Sequence, residues 1–84
     1  ASFADNALEL KVFLNEEITR LKNKLEEAKA INEIKSDTEM LEKTNKIIER
    51  LNGFFNRTID DNLLLTIMRT QELVKEIYID VSHD

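Results

Sequence analysis

One histidine, His83, and seventeen carboxylates are the side chains this sequence offers for acid–base or metal chemistry. A catalytic or metal-bound imidazole needs a second group that fixes its orientation and tautomer. His83 lies next to the last residue, where helices fray, and no such group can be placed beside it. It reads as an exposed terminal residue. A histidine phosphotransfer domain is disfavoured for the same reason, since its histidine sits in the middle of a helix. The acids come in adjacent pairs, Glu16-Glu17, Glu26-Glu27 and Asp60-Asp61. Neighbours on a helix point about 100° apart, so these pairs neither share a proton nor chelate an ion. A di-metal bundle needs inward Glu and Glu-x-x-His motifs, and the sequence has neither.

The chain has no cysteine, which removes disulfides, thiolate metal sites and thiol redox chemistry. It has no Gly-rich phosphate loop, no G-x-S-x-G and no H-E-x-x-H. These absences predict a protein that is not an enzyme and takes no cofactor, metal or small-molecule substrate. Asn56-Arg57-Thr58 matches a glycan acceptor triplet, but that matters only in a secreted chain. The opening residues, ASFADNALEL, have no basic region and no unbroken apolar run, so they do not read as a signal peptide. The expected location is intracellular, in the cytoplasm. No stretch approaches the roughly 18–20 apolar residues of a membrane span.

The net charge is −5. It gathers in the last third, where Asp60, Asp61, Glu72, Glu76, Asp80 and Asp84 outnumber Arg69 and Lys75. Such a surface repels nucleic acid and anionic lipid. The lysines of the first third are interleaved with acids and form no basic face. Association with protein is what remains: a protein partner, or self-association.

The elements that carry these residues follow from what the chain lacks. There is no proline and one glycine, Gly53, in 84 residues. A sheet protein of this size needs several tight turns, and tight turns use both residues. Hydrophobic residues make up 42%, enough for a core. The composition therefore points to a single all-α domain, residues 1–84.

Three segments carry helical periodicity. In the first, Phe3, Ala7, Leu10, Leu14, Ile18, Leu21, Leu25 and Ala28 fall within about 80° at 100° per residue. Asn32 takes the next core position. Ser36 and Glu39 then fit a capping box, with Asp37 adding negative charge at the new N-terminus. In the second, Met40, Leu41, Thr44, Ile47, Ile48, Leu51, Phe54 and Phe55 share a face, while Gly53 projects to the other side inside a continuing helix. Asn56 reads as its end, since Asn tolerates the left-handed turn that closes helices. Thr58 fits an N-cap for the third segment, with Asp60 and Asp61 in its first turn. There Leu63, Leu64, Ile67, Val74, Ile77, Tyr78 and Val81 make the main stripe. Leu65, Met68 and Ile79 lie off it, and Leu73 points to yet another side.

Helices over about 4–32, 37–56 and 59–81 with short connections predict an up-down-up three-helix bundle of long antiparallel helices. The alternative is an extended coiled-coil hairpin within a larger assembly. A third helix that is apolar beyond one stripe is either central in its bundle or sticky toward a partner. The expected contact stripe is Leu65, Met68, Glu72 and Ile79, with Leu8 and Val12 as a second patch, which Phe13 would join if exposed. Asn32, Thr44, Thr70 and Gln71 lie on or beside core stripes as register-setting polar positions. The predicted function is an adaptor-type protein-interaction module with an acidic rim. The second reading is a structural coiled-coil subunit or segment of a scaffold or tether.

Overall fold

The computed structural model describes the backbone of residues 3–55 and 57–82, and the side chains of residues 8–55 and 57–79. The expectations that fall on Asn56, His83 and the side chains of Phe3, Ala7, Asp80 and Val81 lie outside these. The described residues form α1 (Phe3–Lys35), α2 (Thr38–Phe54) and α3 (Asp61–Ser82), with no strand among them. The protein is an all-α three-helix bundle.

The direction of each helix follows from what it touches. α2 returns along α1 and ends with Phe54 beside Leu14 and Ile18. α3 starts at the same level, where Leu63 meets the same two residues. It climbs to Tyr78, whose hydroxyl donates to Glu27 Oε2 at 3.5 Å. The core runs along this shared length, with Ile18, Leu21, Leu25, Leu51, Leu63 and Ile77 almost solvent-free.

The helix shared by the other two is α1, which packs against both, while α2 and α3 meet each other at few points. That removes one of the two explanations for the extra apolar residues of α3. This helix is not central, so a second neighbour does not cover its off-stripe residues. The long axis measures 50 Å, the length of a 33-residue helix at about 1.5 Å per residue. α1 thus spans the molecule, and its N-terminal end projects beyond α2 and α3. Leu10 shows the consequence. It is in phase with the core stripe, yet 39% of it is exposed, because among the described residues the buried core begins at Leu14.

The first turn is tighter than the sequence suggests and its cap sits elsewhere. α1 continues to Lys35 and closes on Ser36, which has φ 59°. Ser36 N–H donates to Glu33 O at 3.2 Å and Asp37 N–H to Asn32 O at 3.0 Å. This pair of bonds is a Schellman closure, with a serine where glycine is usual. The N-cap of α2 is Asp37, whose carboxylate accepts from Met40 N–H at 3.1 Å, and not Ser36. Ser36 is fully used in ending α1, and in the left-handed conformation it cannot also begin α2. Asp37 therefore both completes one helix and opens the next. Ser36→Gly is expected to raise stability by about 1 kcal/mol, because a left-handed L-residue is strained by roughly that amount. Asp37→Ala is expected to lower it by about 0.5–2 kcal/mol. Urea titrations of the two variants check both signs, and a destabilised Ser36→Gly would contradict this geometry.

The second turn shifts in the same way. α3 starts at Asp61, and Leu63 N–H donates to the Asp60 carboxylate at 2.7 Å. Asp60 takes the capping place expected of Thr58, because its shorter reach to the first free N–H groups comes with a full negative charge at the positive helix end.

Gly53 lies within α2, without positive φ and with open space where a Cβ would stand. Gly53→Ala is expected to stabilise by about 1 kcal/mol, the propensity difference between the two residues. A rise in thermal midpoint checks this, and a fall would place Gly53 in a strained turn.

Candidate protein-docking surface

Core packing decides where each candidate residue can point. In α3 the buried positions Leu63, Ile67, Thr70, Val74 and Ile77 face α1. Residues about half a turn away face out. Leu65, Met68 and Ile79 are 45%, 60% and 46% exposed, and Glu72 is exposed between them. At 100° per residue Leu65, Met68, Glu72 and Ile79 lie within about 60° of each other, so they form one strip along the outward face. Glu76 falls in the same strip and is exposed, and the exposed Arg69 and Lys75 stand at its two margins. The border thus carries cations as well as the acids the sequence emphasised.

Leu8 and Val12 are elsewhere. They are 63% and 49% exposed on the projecting end of α1, below the level where α3 begins. The structure does not bring them together with the α3 strip. Phe13, 61% exposed, and Leu10 join them, so that end shows apolar side chains on several sides. Exposed Ile31 and Ile34 near the turn after α1 were missed in the sequence reading. Their signal was present: two isoleucines out of phase with the α1 stripe.

The buried polar positions resolve individually. Thr44 donates its hydroxyl to Met40 O at 2.7 Å, and Thr70 to Thr66 O at 2.8 Å. Both satisfy themselves within their own helix and need no partner across the core. Asn32 is different. It is 3% exposed and its Nδ2 has no hydrogen-bond partner.

A groove of about 330 Å³ separates α1 from α3. Leu21 and Val74 lie at its base, with Tyr78 and Ile79 on the α3 wall. Lys24 Nζ stands 4.6 Å from the centroid of the Tyr78 ring. Arg20, at the other end of the α1 wall, is held by Glu17 through Nε at 2.6 Å. Among the described residues no three His, Asp or Glu side chains gather where a metal ion could be held. No helix among them is long and apolar enough to cross a membrane.

Fold and surface define the class: a three-helix bundle with apolar strips on its outer faces. The chain matches no protein-family model, no curated protein and no solved structure.

Proposed function

We propose that this protein is a non-enzymatic, adaptor-type docking module. The observation that supports this reading is the outward face of α3, where Leu65, Met68 and Ile79 are exposed on one strip and α3 is not the shared helix of its bundle. Exposed apolar patches rimmed by polar residues mark interaction sites. A partner's apolar patch would cover the strip, and Glu72 and Glu76 would set specificity by pairing with Lys or Arg at its edge. In keeping with a chain without cysteine, the reading places this work in the cytoplasm.

The Met68→Asp/Ile79→Asp double variant tests it. Both side chains are about half exposed or more, so the variant is expected to keep its helicity and thermal midpoint. It is expected to lose its partner, or its self-association, since interface anchors typically contribute more than about 1–2 kcal/mol. Unfolding of the variant would make the strip part of the core. Retained binding by a folded variant would move the surface to Leu8 and Val12.

The projecting end of α1 favours a second reading, in which the chain is a coiled-coil subunit or segment of a scaffold or tether. Leu8, Leu10, Val12 and Phe13 would then pack on other chains. Helicity and mass measured against concentration separate the two: a concentration-independent monomer supports the adaptor, and loss of helix on dilution supports the scaffold.

A further inference from the structure

We propose that the outward face of α3 pairs with the same face of a second copy of this chain, the two helices running antiparallel about a two-fold axis. The proposal rests on the reading of that face as a docking surface, and it names the occupant. Leu65, Met68, Glu72, Lys75 and Ile79 recur at i, i+3, i+7, i+10 and i+14, the spacing of a coiled-coil seam. All five are exposed, on the side of α3 away from the buried stripe that faces α1. The seam is apolar toward both ends and charged in the middle, where Glu72 and Lys75 have opposite signs.

That order selects an orientation and a register. Leu65, Glu72 and Ile79 hold one kind of seam position, a, and Met68 and Lys75 the other, d. When two such helices run in opposite directions, each a position faces a d position. A two-fold axis beside the midpoint of residues 73 and 74 then sets Glu72 opposite Lys75 of the second copy, and Lys75 opposite its Glu72. The same register sets Met68 opposite Ile79 of the second copy on either side of the charged centre. Leu65 falls opposite position 82, at the helix end. A slip of one heptad would set Met68 against Glu72, or Ile79 against Lys75, and so press an apolar side chain on a charge. A parallel pair would set Glu72 on Glu72 and Lys75 on Lys75, which repel.

The balance of charge points to the same occupant. The strip and its margins hold Glu72 and Glu76 against Arg69 and Lys75. Such a surface attracts neither an acidic nor a basic partner by net charge, but it complements its own two-fold image. Among the described residues none forms an ion pair with these four side chains. Glu72 does border the α1–α3 groove, but there Arg20 is engaged by Glu17 and Lys24 lies over the Tyr78 ring. Glu76 shares a hollow with Lys43 of α2, so the two Glu72–Lys75 pairs at the centre carry the argument. One helix face from each copy makes an interface below about 1,200 Å², the class of weak and transient contacts.

Sedimentation equilibrium of the 84-residue chain from about 10 μM to about 1 mM, with circular dichroism alongside, covers the affinity range of such contacts. The mass is expected to rise from one chain toward two while helicity stays constant. Glu72→Lys and Lys75→Glu are each expected to weaken the dimer at least about tenfold, by setting like charges face to face. Glu72→Lys/Lys75→Glu exchanges the signs within each pair and is expected to restore the dimer to within about threefold. Unchanged helicity and thermal midpoint show that these surface variants stay folded. The chain has no cysteine, so introduced thiols report the register. A mixture of Met68→Cys and Ile79→Cys chains is expected to oxidise to a cross-linked dimer faster than either variant alone. A monomer at every concentration would overturn the second copy as occupant and leave the outward face to a different protein. A dimer that survives Met68→Asp/Ile79→Asp, a double charge exchange that fails to restore pairing, or faster cross-linking of Met68→Cys with itself would each overturn the antiparallel pairing.

Discussion

Phe54→Ala is expected to destabilise the bundle by about 3–5 kcal/mol, and Phe55→Ala by about half as much or less. Both rings continue the α2 stripe in phase, so the sequence assigns them equal parts in closing the core. A fully buried Phe55 would have had the larger loss. The structure separates them. Phe54 is 5% exposed and sits at the base of the bundle beside Leu14, Ile18 and Leu63. Phe55 is half-buried at the helix end, packed against the core from outside, with Lys22 Nζ 5.8 Å from its ring centroid. Removing a buried ring forfeits its transfer free energy and leaves a cavity, whereas a half-buried ring leaves a notch that water fills. The stake is large, because a chain of this size has roughly 4–13 kcal/mol of stability in all. Phe54→Ala would consume a large share of that and expose the base of the core. Urea denaturation of the two variants checks the ranking, and a greater loss in Phe55→Ala would place the wrong ring inside.

Asn32→Leu is the opposite experiment, expected to stabilise the fold by about 1–3 kcal/mol. Asn32 is buried at the C-terminal end of α1, and its Nδ2 carries N–H donors with no acceptor. A buried donor left unpaired forfeits its hydration, and that loss is about 1–3 kcal/mol. Leucine has the same branching at Cγ and the same number of side-chain heavy atoms, so it fills the space without the unmet donor. The turn is not disturbed, because Asp37 N–H bonds to the backbone oxygen of Asn32. A higher thermal midpoint with unchanged mass is the expected result. If the midpoint rises but the variant forms dimers or mixed species, Asn32 also serves to keep the helices in one register, as polar residues do in coiled coils. A lower midpoint would mean that the amide is satisfied.

What could be read from sequence divides by how local the physical causes are. Helix identity was legible throughout. Thr44, Ile47, Ile48, Leu51 and Phe54 of α2 and Leu63, Ile67, Val74 and Ile77 of α3 are buried where their phase put them, because phase on a helix depends only on spacing. Leu64, by contrast, is only partly buried, and Tyr78, expected on the same stripe, is exposed at its margin. A break between about residues 32 and 37 was legible from the polar cluster Ser36-Asp37, but the helix runs on to Lys35, and the internal chemistry of the turn was not legible. Serine and aspartate both cap helices, and which one caps depends on where the preceding helix stops. That stop was set by the Schellman closure at Ser36, not by the polar Asn32.

The outward strip of Leu65, Met68 and Ile79 shows the boundary most clearly. Their positions off the stripe were plain from numbering alone. Whether they were covered depended on which helix lay in the middle, and periodicity holds no information about neighbours. The structure gives that place to α1, leaving the far face of α3 in solvent. Leu10 makes the same point from the other side. Its phase was right for the core, but burial also needs a residue opposite, and among the described residues the buried core begins at Leu14. Sequence by itself determined the number of helices, their inward faces and the approximate turns, since these arise from interactions among residues a few positions apart. Only the tertiary structure decided which helix is shared, which ring is inside and which apolar residues remain exposed, since burial is a property of two surfaces and a single stripe describes one of them.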